Sequence, residues 1–134
     1  MILLDTHVVV WLLGDDLRLG VKARRIIAED DERYVSAMVS WEIAMMVDKG
    51  RFAVNQPLGI WLEQSIDSIG AHEMVVTGAM ACDAGSLAGD IHGDPCDRLM
   101  IATARAMACP LVTADRAILA YAAAGHVQAI DARV

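Results

Sequence analysis

No stretch of the 134-residue sequence is apolar over the ~20 residues that a membrane-spanning helix needs. The longest uncharged apolar runs, such as "THVVVWLLG" and "AILAYAAAG", reach about half of that, although apolar residues make up 56% of the chain and mean hydropathy is +0.42. The start, "MILLD", has no basic segment and no cleavage site, so no export signal is expected. Cysteine is scarce and odd in number: Cys82, Cys96 and Cys109 show no CxxC spacing. They read as small core residues in a reducing cytoplasm rather than as disulfides or zinc ligands. Positive charge is short as well, with 11 Lys and Arg against 18 Asp and Glu and a net charge of −7. That excludes a general nucleic-acid coat but not a metal-dependent enzyme acting on nucleic acid. The basic residues that cluster, Lys22, Arg24 and Arg25 in one place and Lys49 and Arg51 in another, read as solvated helix faces. Two catalytic motifs are missing. "GDDLRLG" lacks the Lys-Ser/Thr end of a P-loop, and there is no G-x-S-x-G nucleophile elbow.

What is present is an alternation of short apolar strands with amphipathic helices. Strands are expected at "MILLD", "RYVS", "HEMVVTG", "PLVTA" and "VQAID". Helices are expected between them, at "HVVVWLLG", "GVKARRIIAED", "MVSWEIAMMVDKG", "PLGIWLEQSIDSIG", "AMACDAGSLAGD", "DPCDRLMIATARAMA" and "DRAILAYAAAG". Repeats, low-complexity tracts and linkers are absent, which points to a single domain over residues 1–134. The fold class that follows is α/β, a central parallel sheet of four to five strands with helices on both faces.

In such a sheet ligands bind beyond the carboxyl ends of the strands, where the strand order reverses. Asp5 ends the first strand, and Asp115 follows the strand "PLVT". Asp94 and Asp97 open the long helix, with Pro95 at its first position. Each has a purely structural role open to it. Asp5 or Thr6, Asp94 and Asp115 could cap helices, and Asp97 could complete a capping box three residues after Asp94. Capping does not account for Glu42. It lies inside "MVSWEIAMMV", where its neighbours at helical spacing are Met38, Val39, Met45 and Met46, with no lysine or arginine among them. A carboxylate in an apolar stripe needs a cation, a hydrogen-bonded partner or a proton. Taken with Asp5, Asp97 and Asp115, a shared divalent cation is the simpler account. Hard oxygen donors without paired histidines or thiolates suit Mg²⁺, with Mn²⁺ as the alternative. His7, His72, His92 and His126 show no ligand spacing of their own; His72 and His126 are expected at turns. His7 and His92 stand close in sequence to Asp5 and Asp97, but a solvated or helix-start role suits them better.

The stretches "LLDTHVVVWLL", "SAMVSWEIAMMVDKGRF", "HGDPCDRLMIATA" and "LVTADRAI" together resemble the PIN domain, and within it the VapC-type toxin ribonucleases. The likeness spans nearly the whole chain, in order and at the usual spacing. It implies a single PIN domain and a divalent-metal endoribonuclease, with the acidic quartet of the family falling on Asp5, Glu42, Asp97 and Asp115. It further implies hydroxyl partners at Thr6 and Thr113, and an Asp94 that is first of all a helix cap. Hydrolysis by metal-activated water would leave a 5′-phosphate and a 3′-hydroxyl. The resemblance also implies a VapB-like antitoxin that blocks the acidic cleft, an RNA substrate and a homodimer. Gly93 and Cys96 depart from the family, which often has a larger side chain at the first position and an aromatic at the second. No carboxylate is affected.

Two other functions compete. A signalling receiver domain would need paired acids after the first strand and a lysine after a late strand. "LLDT" holds one acid, and no lysine follows Lys49. A catalytically silent PIN-fold binding module would not need the intact quartet.

Overall fold

The computed structural model describes residues 1–134 and holds five strands and seven helices. In chain order they are β1 (Ile2–Leu4), α1 (Thr6–Leu13), α2 (Val21–Glu29), β2 (Arg33–Ser36), α3 (Ala37–Asp48), α4 (Leu58–Ser68) and β3 (Ala71–Met74). Then follow α5 (Gly78–Gly85), α6 (Pro95–Met107), β4 (Leu111–Thr113), α7 (Arg116–Ala123) and β5 (Ala129–Asp131). All pairings are parallel and the strand order is β3-β2-β1-β4-β5. The expected α/β architecture is thus present, with five strands.

The chain steps outward from β1 to β2 and β3, then crosses back to β4 and β5 on the other side. Right-handed crossovers running in opposite directions put helices on both faces of the sheet. Strands covered on both sides must be apolar throughout. Leu3, Leu4, Val35, Leu111 and Val112 are accordingly fully buried, packed with Val8 of α1, Val39 of α3, Met100 and Ile101 of α6 and Ile118 of α7. The point where strand order reverses lies between β1 and β4, paired through Leu3–Leu111 and Leu4–Val112. One residue further on, the Asp5 N–H donates to the Val112 carbonyl at 3.0 Å.

Several small expectations change. Cys96 and Cys109 are buried as expected, but Cys82 is exposed on α5. His72 lies within the edge strand β3 rather than at a turn.

Helix α6 ends on Ala108, held in the left-handed region at φ 51° and exposed to solvent. An L-residue with a Cβ is disfavoured there, and glycine is the usual occupant. Ala108→Gly is expected to stabilise the protein by about 1 kcal/mol, read as a rise in thermal midpoint. A fall would show that the strain is not where the backbone places it.

Candidate functional site

The acids gather at the carboxyl ends of β1 and β4, and the sequence explains how each gets there. Asp5 caps α1, and both of its carboxylate oxygens are held: Oδ1 accepts from the Thr6 N–H at 2.7 Å and Oδ2 from the Thr113 hydroxyl at 2.7 Å. Thr113 in turn accepts the Asp115 N–H at 3.0 Å, so one buried hydroxyl ties two acids together. Asp115 caps α7, with Oδ1 accepting the Ile118 N–H at 3.0 Å. Glu42, on the second turn of α3, is reached across the cleft: the Thr6 hydroxyl donates to its Oε1 at 2.6 Å.

Asp97 differs from its sequence expectation. It neither starts α6 nor completes a capping box. Asp94 is the cap, its Oδ1 accepting the Asp97 N–H at 3.1 Å, while the Asp94 N–H is taken by His92 Nδ1. The short aspartate side chain is thereby left free, and its Oδ2 meets His92 Nε2 at 3.2 Å. His92, Asp97 and Asp115 each offer a ligand atom within 4.8 Å of the others.

The electrostatics follow from that convergence. Burial raises the proton affinity of Asp97, and the charges of Asp5, Asp115, Asp94 and Glu42 raise it further, to a pKa of about 7. Burial also raises Glu42; the Thr6 hydroxyl opposes this, while Asp5 and Asp94 add to it. The Cys96 thiol, buried behind the acids, is pushed up to about 12 by desolvation and then by the same carboxylates. No lysine or arginine is paired with Asp5, Glu42, Asp97 or Asp115.

Glu42, Asp97 and Asp115 share a pattern. Each has one carboxylate oxygen against a protein group, hydrogen-bonded in Glu42 and Asp115 and 3.2 Å from His92 Nε2 in Asp97, and a second with no protein partner. Since no buried side-chain oxygen lacks a partner, these second oxygens face solvent. Such a set is oriented by one oxygen and able to ligate with the other. The free oxygens of Glu42, Asp97 and Asp115 are hard carboxylate donors, of the kind that suits a hard divalent cation.

Three supporting groups were not evident from sequence. His7 is at the start of α1 and partly exposed, as expected, but it also has a bonding role: its Nε2 accepts the Ala114 N–H at 2.8 Å, leaving Nδ1 3.8 Å from Asp5 Oδ2. Arg133 grips the other side of the same residue, donating to the Ala114 carbonyl at 2.7 Å. Arg98 donates to the carbonyls of Ala84, Ile91 and His92, which fixes the loop before α6. A basic residue on a helix or near a chain end carries no mark in sequence of the carbonyl it will reach. For His7 the only signal was its place two residues after Asp5.

The chain matches the PIN-domain family model over residues 2–124. It is 32% identical to ribonuclease VapC22 of Mycobacterium tuberculosis over 120 residues, which is 90% of this chain and 91% of the relative. Its fold is similar to that of a chain of a toxin–antitoxin complex from Klebsiella pneumoniae (TM-score 0.66, 13% identity, covering 98% of this chain and 97% of the other). A chain of VapBC2 from Rickettsia felis bound to a DNA fragment from their promoter is equally similar (TM-score 0.66, 17% identity, 97% and 98%).

Proton linkage gives a stability test. The folded metal-free protein holds a proton on Asp97 up to about pH 7, whereas the unfolded chain releases it near the ordinary value of 3.8. Between those values the folded state binds more protons, so the Asp97 contribution makes stability fall as pH rises through this window. Asp97→Asn removes the effect. The variant is expected to be more stable than the metal-free wild type at pH 8, by up to a few kcal/mol at about 1.4 kcal/mol per pKa unit, read as a higher thermal midpoint. The advantage should shrink towards pH 4. Equal pH dependence of the two would rule out the crowding of charge around Asp97.

Proposed function

The chain belongs to the PIN-domain family, and from that premise we propose that it is a divalent-metal endoribonuclease acting as the toxin of a VapBC-type pair. Asp5, Glu42, Asp97 and Asp115 are the metal-holding acids of this reading. The observation that carries it is the set of carboxylates, with Asp5, Glu42 and Asp115 pre-oriented by neutral donors, Asp97 beside the His92 imidazole, and none paired with a lysine or arginine. The ion of choice is Mg²⁺, with Mn²⁺ accepted by the same oxygens. A bound ion of this kind supplies Lewis-acid activation of water and offsets negative charge at the phosphodiester.

The residues of the chain supply the rest. Asp5, fixed at both oxygens, sets the floor of the site. Asp97 and Asp115 bring carboxylate oxygens within 4.8 Å of each other. Glu42 holds its carboxylate by Oε1 and presents Oε2 to solvent, where its raised proton affinity suits it to orient the attacking water and take its proton. In-line attack by water breaks the P–O3′ bond, leaving a 5′-phosphate and a 3′-hydroxyl, and the RNA 2′-hydroxyl takes no part.

The name of the 32%-identical relative, a ribonuclease, supports the activity. The toxin–antitoxin complexes among the fold neighbours support a VapB-like antitoxin as partner. The net charge of −7 and the acidic cleft fit a basic antitoxin segment. A homodimer and a cytoplasmic location complete the proposal. No helix is long and apolar enough to cross a membrane.

The decisive experiment maps new RNA 5′ ends in cells after brief induction of the wild type or Asp97→Asn. Discrete new 5′-phosphate ends are expected with the wild type alone, at the sites of the natural substrate. Identical maps in a host that carries the native RNAs would overturn nuclease activity in favour of a silent binding module.

A further inference from the structure

Two hydrogen bonds and one close nitrogen–oxygen contact at the start of α6 close a ring. The Asp94 N–H donates to His92 Nδ1 at 3.2 Å, His92 Nε2 lies 3.2 Å from Asp97 Oδ2, and the Asp97 N–H donates to Asp94 Oδ1 at 3.1 Å. In an ordinary capping box the acid three residues after the cap reaches back to the cap N–H itself. Here that acid is an aspartate, one methylene shorter than glutamate, and an imidazole spans the gap. The ring also fixes the tautomer. A nitrogen that accepts a backbone N–H carries no proton, so in the neutral imidazole the proton sits on Nε2, the nitrogen nearest Asp97. Arg98 holds the loop from outside, through the His92 carbonyl at 3.2 Å and the Ile91 carbonyl at 3.3 Å.

The imidazole also lies within 4.8 Å of an Asp115 carboxylate oxygen, near enough to serve as a ligand itself. The ring argues against that. Ligation through Nε2 would move the proton to Nδ1, where it would face the Asp94 N–H donor to donor. We propose that His92 is a positioning residue: it holds Asp97 by Oδ2 through Nε2–H and leaves Oδ1 for the cation. The role rests on the reading of Asp97 as a metal ligand.

The test uses the full-length protein with ¹⁵N-labelled histidine, and Mn²⁺ as the probe. In the metal-free protein, long-range ¹H–¹⁵N correlation is expected to show the Nε2–H tautomer for His92, assigned by its loss in His92→Gln. On adding Mn²⁺, pulsed EPR should show no ¹⁵N coupling that depends on His92. Calorimetric titration should find Mn²⁺ bound about tenfold or more weakly by His92→Ala, with most of the affinity restored by His92→Gln, whose side-chain amide can donate in the same direction. An Nδ1–H tautomer, a ¹⁵N coupling that vanishes in His92→Ala, or unchanged affinity in that variant would each overturn the positioning role. Failure of the wild type to bind Mn²⁺ would overturn the metal-site reading and the role with it. The tautomer, read without metal, then tells whether the failure lies at the bridge or at the metal.

Discussion

Carboxylates brought together out of bulk water repel one another, and the architecture around the strand-order reversal holds them together in spite of it. The holding is done by neutral donors. The hydroxyls of Thr6 and Thr113 and the backbone N–H groups of Thr6 and Ile118 each take one oxygen without cancelling the charge. The arginines nearby do something else: Arg98 and Arg133 spend their donors on backbone carbonyls and so stiffen the scaffold. Had either guanidinium paired with an acid, the site would be a salt bridge. As built, it is a preformed negative centre, and the persistence of a proton on Asp97 near neutrality measures its incompleteness.

Rigidity at this centre comes from backbone held on both sides. Ala114 is gripped at its N–H by His7 and at its carbonyl by Arg133, between the hydroxyl that bonds Asp5 and the acid that caps α7. His7 and Arg133 both lie against the Trp11 ring, at 5.1 and 5.9 Å. Arg133 arrives through a close approach of Gly20 to residues 133–134, where a Cβ on Gly20 would overlap backbone. The Gly20 N–H donates to the Ala132 carbonyl, and the Lys22 N–H to that of Val134. Segments far apart in sequence therefore fix one peptide beside the acids.

The alternation of strands and helices was legible in sequence because each element carries its own pattern: β-branched and leucine runs for buried strands, Asp94 and Pro95 for the start of α6. The placement of Asp5 and Asp115 followed from topology, since parallel strands deliver their C-terminal residues to one edge. Glu42 stood out through its apolar neighbours. For Asp5, Asp97 and Asp115 taken singly, local chemistry favoured the cap; Glu42 made a shared cation the simpler account of all four, and the resemblance implied the same residues. The structure shows why. Asp5 and Asp115 are caps that also project into the cleft, while Asp97 is relieved of capping by Asp94. The contacts of His92, Arg98 and Arg133 depend on loop conformation and on pairings 5 to 19 residues apart, which no periodicity records.

The unbonded oxygens of Glu42, Asp97 and Asp115 also set an order of arrival. RNA is a polyanion, and each phosphate that nears three or four clustered carboxylates meets repulsion that strengthens as water is displaced. A small divalent ion meets attraction along the same path. In the proposed enzyme the cation therefore enters first and the nucleic acid second, and a site emptied of metal turns away the substrate as well as failing to cut it.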